Sequence, residues 1–103
     1  MTDERRKNKR VPVSLPARWD GISGKHETQT TDISMGGCFI STYVHVTVDE
    51  LIVVELLLPD GGSLKLKGRV TSYEPLVGFS LRFLPLTEVE RATLAQIIKE
   101  RSR

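Results

Sequence analysis

From Glu50 to Tyr73 the chain reads ELIVVELLLPDGGSLKLKGRVTSY, and this stretch constrains the fold more than any other. ELIVVELLL is an apolar run of strand length, which predicts a strand buried on both faces. PDGGS, from Pro59 to Ser63, is a dense cluster of turn formers. LKLKGRVTSY then alternates, with Leu64, Leu66 and Gly68 on one face and Lys65, Lys67 and Arg69 on the other. Two strand patterns across one turn make an antiparallel hairpin, and a lone hairpin has too little core to stand in water. The rest of the chain must supply more strands.

It does so in short pieces. VPVSLPARWDG begins with Val11, Val13 and Leu15 on one face, and Pro12 and Pro16 suit an edge or the start of a strand. KHETQTTDIS is polar and threonine-rich, as an exposed strand would be. GCFISTYV alternates Cys38, Ile40 and Thr42 against Phe39, Ser41 and Tyr43, and VGFSLRF gives one more strand. The period changes only at the end of the chain. Thr87 and Glu90 have capping-box spacing, and Leu94, Ile97, Ile98 and Arg101 fall on one helical stripe, with Glu88 and Glu90 in the first turn and Lys99 and Arg101 in the last. The pattern predicts a mainly β protein: a small antiparallel barrel or sandwich of about six strands with one C-terminal α-helix.

At 103 residues the chain has room for one domain and one modest core. A single cysteine, Cys38, can form no internal disulfide and no cysteine-based zinc site. No run approaches the roughly 20 apolar residues of a membrane span, and the start of the chain is charged where a secretory signal would be apolar. The expected location is the cytoplasm, without membrane insertion. The formal net charge of +2 is unevenly placed: the first ten residues hold five of the 15 Lys and Arg, within RRKNKR from Arg5 to Arg10, while residues 11–103 carry ten cations against eleven anions. A protein that coats duplex DNA spreads cations over a face. Here the positive field is concentrated in one segment, which suits a compact anion.

Catalytic patterns are missing. His26 and His45 stand alone, Ser34 and Ser80 lack a nucleophile-elbow context, and no phosphate-binding glycine motif occurs. The expectation is a binding protein that is not an enzyme and holds neither metal nor cofactor. The second informative stretch is TDISMGG, in which Asp32, Ser34 and Gly37 are spaced D-x-S-x-x-G between two strands. An ordinary Asp/Ser/Gly turn accounts for it. So does a site, in which Asp32 and Ser34 alternate onto one face, the carboxylate accepts from the N1–H and N2–H of a guanine, and bare backbone at Gly37 leaves room for a purine.

Taken together, Arg6 and Arg10 in R-x-x-x-R spacing, VPVSLPARW after them and D-x-S-x-x-G about twenty residues on resemble the PilZ family of receptors for the bacterial second messenger cyclic diguanylate (cyclic di-GMP). GRVTSY and VGFSLRFLPLTEVERATL resemble its later strands and the start of its helix, so the likeness covers nearly the whole chain. It implies a PilZ-like barrel over residues 11–86, a flexible basic arm over 1–10 and a helix over 87–103. It implies that Arg6 and Arg10 meet phosphate and guanine with planar forks while Asp32, Ser34 and Gly37 close on the base from the barrel, so that binding orders the arm. Arg5, immediately before the pair, resembles the form that holds two intercalated ligand molecules. Where the family often has G-x-G-x-x-F, this chain has Gly78, Ser80 and Phe83.

Two other readings stand beside this one. A basic-tailed barrel can bind single-stranded nucleic acid, but that mode interleaves aromatics with cations, and here they are separated, which disfavours it. A PilZ-like barrel can also serve as an adaptor that needs no ligand, although this chain keeps both motifs. In either PilZ reading an unidentified downstream protein receives the signal, and the chain is a monomer or a homodimer. Trp19, Phe39, Phe79 and Phe83 read as core or half-buried barrel residues, with base stacking as a second role open to Trp19.

Overall fold

The first irregularity of the barrel lies between the two prolines near the start of the chain. A computed structural model of the chain describes residues 11–101. Strand β1 (Val11–Pro12) runs antiparallel to the end of β3 (Gly24–Ile33), and β2 (Pro16–Gly21) pairs with the start of the same strand. Between them Val13, Ser14 and Leu15 face only Thr30 and Thr31, so the register slips by one residue, while Val13 N donates to Thr31 O at 3.2 Å and Thr30 N to Leu15 O at 3.0 Å. Thr30 spans the slip from inside: fully buried, its hydroxyl donates to Val13 O at 3.0 Å and accepts from Leu15 N at 3.2 Å. β1 and β2 thus form one interrupted strand, and Val11, Val13, Leu15, Ala17 and Trp19 all point into the core.

The barrel is completed by β4 (Gly37–Ser41), β5 (Leu51–Leu57), β6 (Ser63–Glu74) and β7 (Gly78–Phe83). All pairings are antiparallel, in the order β1-β3-β2-β5-β6-β7-β4, and a further pairing of β3 with β4 closes six strands into a barrel, leaving β1 as the extra strand. Closure removes the open edges through which a sheet this size would aggregate. Inside, Trp19 is 1% exposed and meets Phe79 edge-on at 5.1 Å, with the His26 ring 4.4 Å away. The ring belongs to the core, and its indole N–H is the one buried side-chain polar atom without a partner among the described residues.

The β5–β6 hairpin forms as its pattern requires on β6, where Leu64, Leu66, Gly68 and Val70 are buried and Lys65, Lys67 and Arg69 exposed. On β5 the expectation of burial on both faces is corrected. Ile52, Val54 and Leu56 are buried, whereas Leu51 is exposed and Val53, Glu55 and Leu57 are half-buried. The reason is the place of the helix. α1 (Glu88–Arg101) packs against β6 and β1 and buries Leu94 and Ile97, leaving the outer face of β5 only partly covered. Thr87 and Glu90 close the capping box: Glu90 N donates to Thr87 Oγ1 at 3.1 Å and Thr87 N to Glu90 Oε1 at 2.9 Å. At the other side of the helix, Ala92, Gln96 and Ile97 face Leu58 and Asp60 of the β5–β6 turn.

Strand directions therefore give the barrel two unlike ends. One carries Val11, the β3–β4 turn, the β5–β6 turn and the helix; the other carries the β2–β3 turn, the loop 42–50 and the β6–β7 turn.

Candidate ligand-binding site

A single extra residue decides where Asp32 points. Along β3, His26 and Thr28 are half-buried and Thr30 fully buried, so the even-numbered residues face the core. Continued without a break, that period would turn Asp32 inward. The register against β4 instead steps from Thr30 opposite Ile40 to Asp32 opposite Phe39, leaving Thr31 as a bulge. The phase flips: Ile33 takes the interior place, fully buried, and Asp32 lies half-exposed on the outer face. Bulges re-aim side chains in this way at sites.

Ser34 does not join Asp32 on that face, which corrects the expectation that the two alternate together. The strand ends at Ile33, and Ser34, 3% exposed, begins the turn. Its Oγ accepts from Gly36 N at 3.1 Å and Gly37 N at 3.2 Å, while its own N–H donates to Gly37 O at 2.8 Å. The hydroxyl thus holds the turn closed. Gly37 has an equally local reason for being glycine. It pairs with Arg82 of β7, and a Cβ added there would lie 2.0 Å from Leu81 O, well inside contact distance. Gly36 O accepts from Phe83 N at 2.8 Å, fastening the turn to β7 from its other side.

The same turn meets the start of the described chain. Val11 pairs with Ile33 and Pro12 with Asp32. Arg5, Arg6 and Arg10 lie outside the described residues. Outer-face neighbours missed in the sequence complete the surroundings. Phe39 stands between Asp32 and Ser80, and Arg82 between Gly37 and Arg69. On β7 Phe79 and Leu81 are buried and Arg82 is exposed, an alternation that the sequence VGFSLRF carries, but the strand neighbours required the barrel register. A cleft of about 380 Å³ bordered by Arg18, Asp20 and Lys25 and another of about 460 Å³ beside the helix both lie away from this turn.

A closed six-stranded barrel with a terminal helix, carrying D-x-S-x-x-G at the β3–β4 turn with Val11 and Pro12 paired beside it, defines a class. The chain belongs to the PilZ domain family, whose model matches residues 4–100. Among solved structures it is similar to the inhibitor of motility of Bacillus subtilis (MotI/DgrA), with 17% identity and a TM-score of 0.79 over 94% of this chain and 50% of that one. It is also similar to the PilZ domain with c-di-GMP of YcgR from Escherichia coli, at 15% identity and a TM-score of 0.77, covering 94% of this chain and 91% of that one. A third is the PilZ domain of CeSA from a cellulose-synthesizing bacterium, at 19% identity and a TM-score of 0.69 over 88% and 95%. The chain spans half the length of the motility inhibitor. No match was found among curated protein sequences. Among the described residues no helix is long and apolar enough to cross a membrane.

Proposed function

We propose that the protein is a receptor for cyclic diguanylate, which it holds between the basic segment before Val11 and the outer face at Asp32. The observation that carries this reading is the register of β1 on β3, which brings the residue bonded to Arg10 against the turn that follows Asp32. The likeness to a PilZ domain with c-di-GMP supports the choice of ligand. Arg6 and Arg10 supply guanidinium forks to phosphate and to the Hoogsteen edge of guanine. Asp32 accepts from the guanine N1–H and N2–H. Ser34 and Gly37 act one step back, by fixing the turn on which the ligand rests. Arg5 adds the charge needed for a second, intercalated ligand molecule.

Ordering of the arm over the ligand changes the surface offered to a downstream protein, and so converts occupancy into a signal. Similarity to a motility inhibitor and to a domain from a cellulose-synthesizing bacterium points to motility or biofilm control as the process. Isothermal titration calorimetry with cyclic diguanylate, with GTP and a short single-stranded DNA as controls, tests the reading. Saturable binding to cyclic diguanylate alone supports it, and two molecules per chain support the role of Arg5. One per chain removes the intercalated pair. Steeply salt-dependent binding to the DNA, indifferent to guanine, would move the protein to the nucleic-acid class.

A further inference from the structure

On most of the outer face, charges are set against their opposites. Arg18 stands opposite both Glu27 and Glu55, Asp20 opposite Lys25, and Glu55 opposite Lys65. One rung breaks the pattern. Arg69 of β6 lies directly opposite Arg82 of β7, and among the described strand pairs this is the one at which two charges of the same sign meet. Both are exposed. Side chains directly opposed across an antiparallel pair have Cβ atoms about 4.5–5.5 Å apart, where like charges are destabilising. Among the described residues, the hydrogen-bond and strand partners of the pair do not relieve it. Arg69 Nη1 donates to the Asp49 carbonyl at 3.0 Å, a neutral acceptor, and Leu51 is its partner on β5. Lys67, two residues along β6, adds a third cation opposite Val53.

The position of the rung gives it a use. Arg82 is also opposite Gly37, which has no side chain to stand between the guanidinium and the D-x-S-x-x-G turn. Val11 and Pro12 border that turn from the β1 side, and Arg82 and Arg69 flank it from the β7 side. We propose that Arg69 and Arg82 form a fixed anion-binding rung that takes a phosphodiester of the bound cyclic dinucleotide from the side opposite the arm. The inference rests on the receptor reading. Two guanidinium forks at this spacing can converge on one phosphate, and their mutual repulsion is relieved when it arrives. Both arginines are carried on paired strands, so the rung is in place before the ligand arrives and makes the first electrostatic capture.

Titration calorimetry of the full chain with cyclic diguanylate at two salt concentrations tests this with Arg82→Gln, Arg82→Lys, Arg69→Gln and Lys25→Gln. Arg82→Gln is expected to weaken binding tenfold or more and to flatten the dependence of Kd on salt. Arg82→Lys, which keeps the charge and loses the fork, falls between it and the wild type. Arg69→Gln weakens binding severalfold. Lys25→Gln removes an exposed cation at the far end of the barrel and stays within twofold. The melting temperature of ligand-free Arg82→Gln is unchanged or raised, because a repulsion has gone. Arg82→Gln binding within twofold of a binding wild type overturns the rung and leaves the receptor reading intact; so does a loss in Lys25→Gln equal to that in Arg82→Gln, which would mark a general field. A wild type that does not bind overturns both.

Discussion

At the end of the barrel that carries the β3–β4 turn, the backbone is tied at short intervals: Ser34 Oγ holds Gly36 N and Gly37 N, and Gly36 O holds Phe83 N. The opposite end is different. Ile22, Tyr43, Leu76 and Val77 stand exposed there, Asp49 and Leu76 adopt φ of 77° and 66°, and the loop 42–50 reaches the β2–β3 turn through one carboxylate. A turn held this way loses little freedom when a ligand lands on it, so less of the interaction energy is spent on ordering. The far end is tied as well, by Asp49 N to Val70 O at 2.8 Å and Val70 N to Glu50 O at 3.0 Å, but it keeps left-handed backbone and apolar side chains in water.

If the site end owes its shape to close strand approach, adding one methyl group there should do more harm than loosening the loop at the far end. Gly37→Ala places a Cβ 2.0 Å from Leu81 O, where only movement of β4 away from β7 can make room. The expected cost is about 3 kcal/mol, at the upper end of overpacking effects. Urea unfolding measures it. A cost near zero would mean that β4 and β7 slide freely and that the turn is not rigid.

Second in size is the tie at the far end. Glu50, 9% exposed, accepts from Ile22 N at 2.8 Å through one carboxylate oxygen and from Thr47 N at 3.0 Å through the other. Glu50→Gln leaves one of those N–H groups facing an amide NH₂, a loss of about 2 kcal/mol for a charge-assisted bond in a largely buried place. Hydrogen exchange should show the loop 42–50 opening while the β3–β4 turn stays protected. Equal loosening of both ends would erase the contrast between them.

Ser34→Ala comes third. It takes the acceptor from Gly36 N and Gly37 N at the turn, worth about 1–2 kcal/mol. Its effect on cyclic diguanylate binding should exceed its effect on stability, because the displaced turn carries the surface beside Asp32. If affinity holds while stability falls, the shape of the turn is irrelevant to the ligand.

What the sequence revealed, and what it concealed, follows from the range of the interactions involved. The β6 pattern and the capping box are local, and Leu64, Leu66, Thr87 and Glu90 behave as their spacing requires. The orientation of Asp32 was hidden because the bulge at Thr31 carries no glycine or proline to mark it, yet it reverses the face of every residue after it. Leu51 and Val53 misled for another reason: an apolar strand signals burial, and whether its outer face is covered depends on where a helix forty residues away comes to rest. The Arg69–Arg82 rung was equally hidden, since each arginine alternates correctly on its own strand and only the register sets them side by side.

The smallest expected effect runs in the opposite direction and probes the far end alone. Val77 N donates to Glu74 O at 3.0 Å, so residues 74–77 form a turn with Pro75 second and Leu76 third. With φ of 66° at the third position this is a type II turn, whose third place belongs to glycine or asparagine. Leu76 pays twice, in left-handed backbone and in a side chain 74% exposed. Leu76→Asn should therefore stabilise the protein by about 1 kcal/mol, and Leu76→Gly by less, because glycine also gives freedom to the unfolded chain. In a domain of this size that is a rise in melting temperature of roughly 4–8 °C. Ligand affinity should not change, since the turn is at the end of the barrel away from Asp32. A fall in melting temperature would show instead that the Leu76 side chain covers apolar surface the barrel needs, and the far end would then be as firmly built as the site.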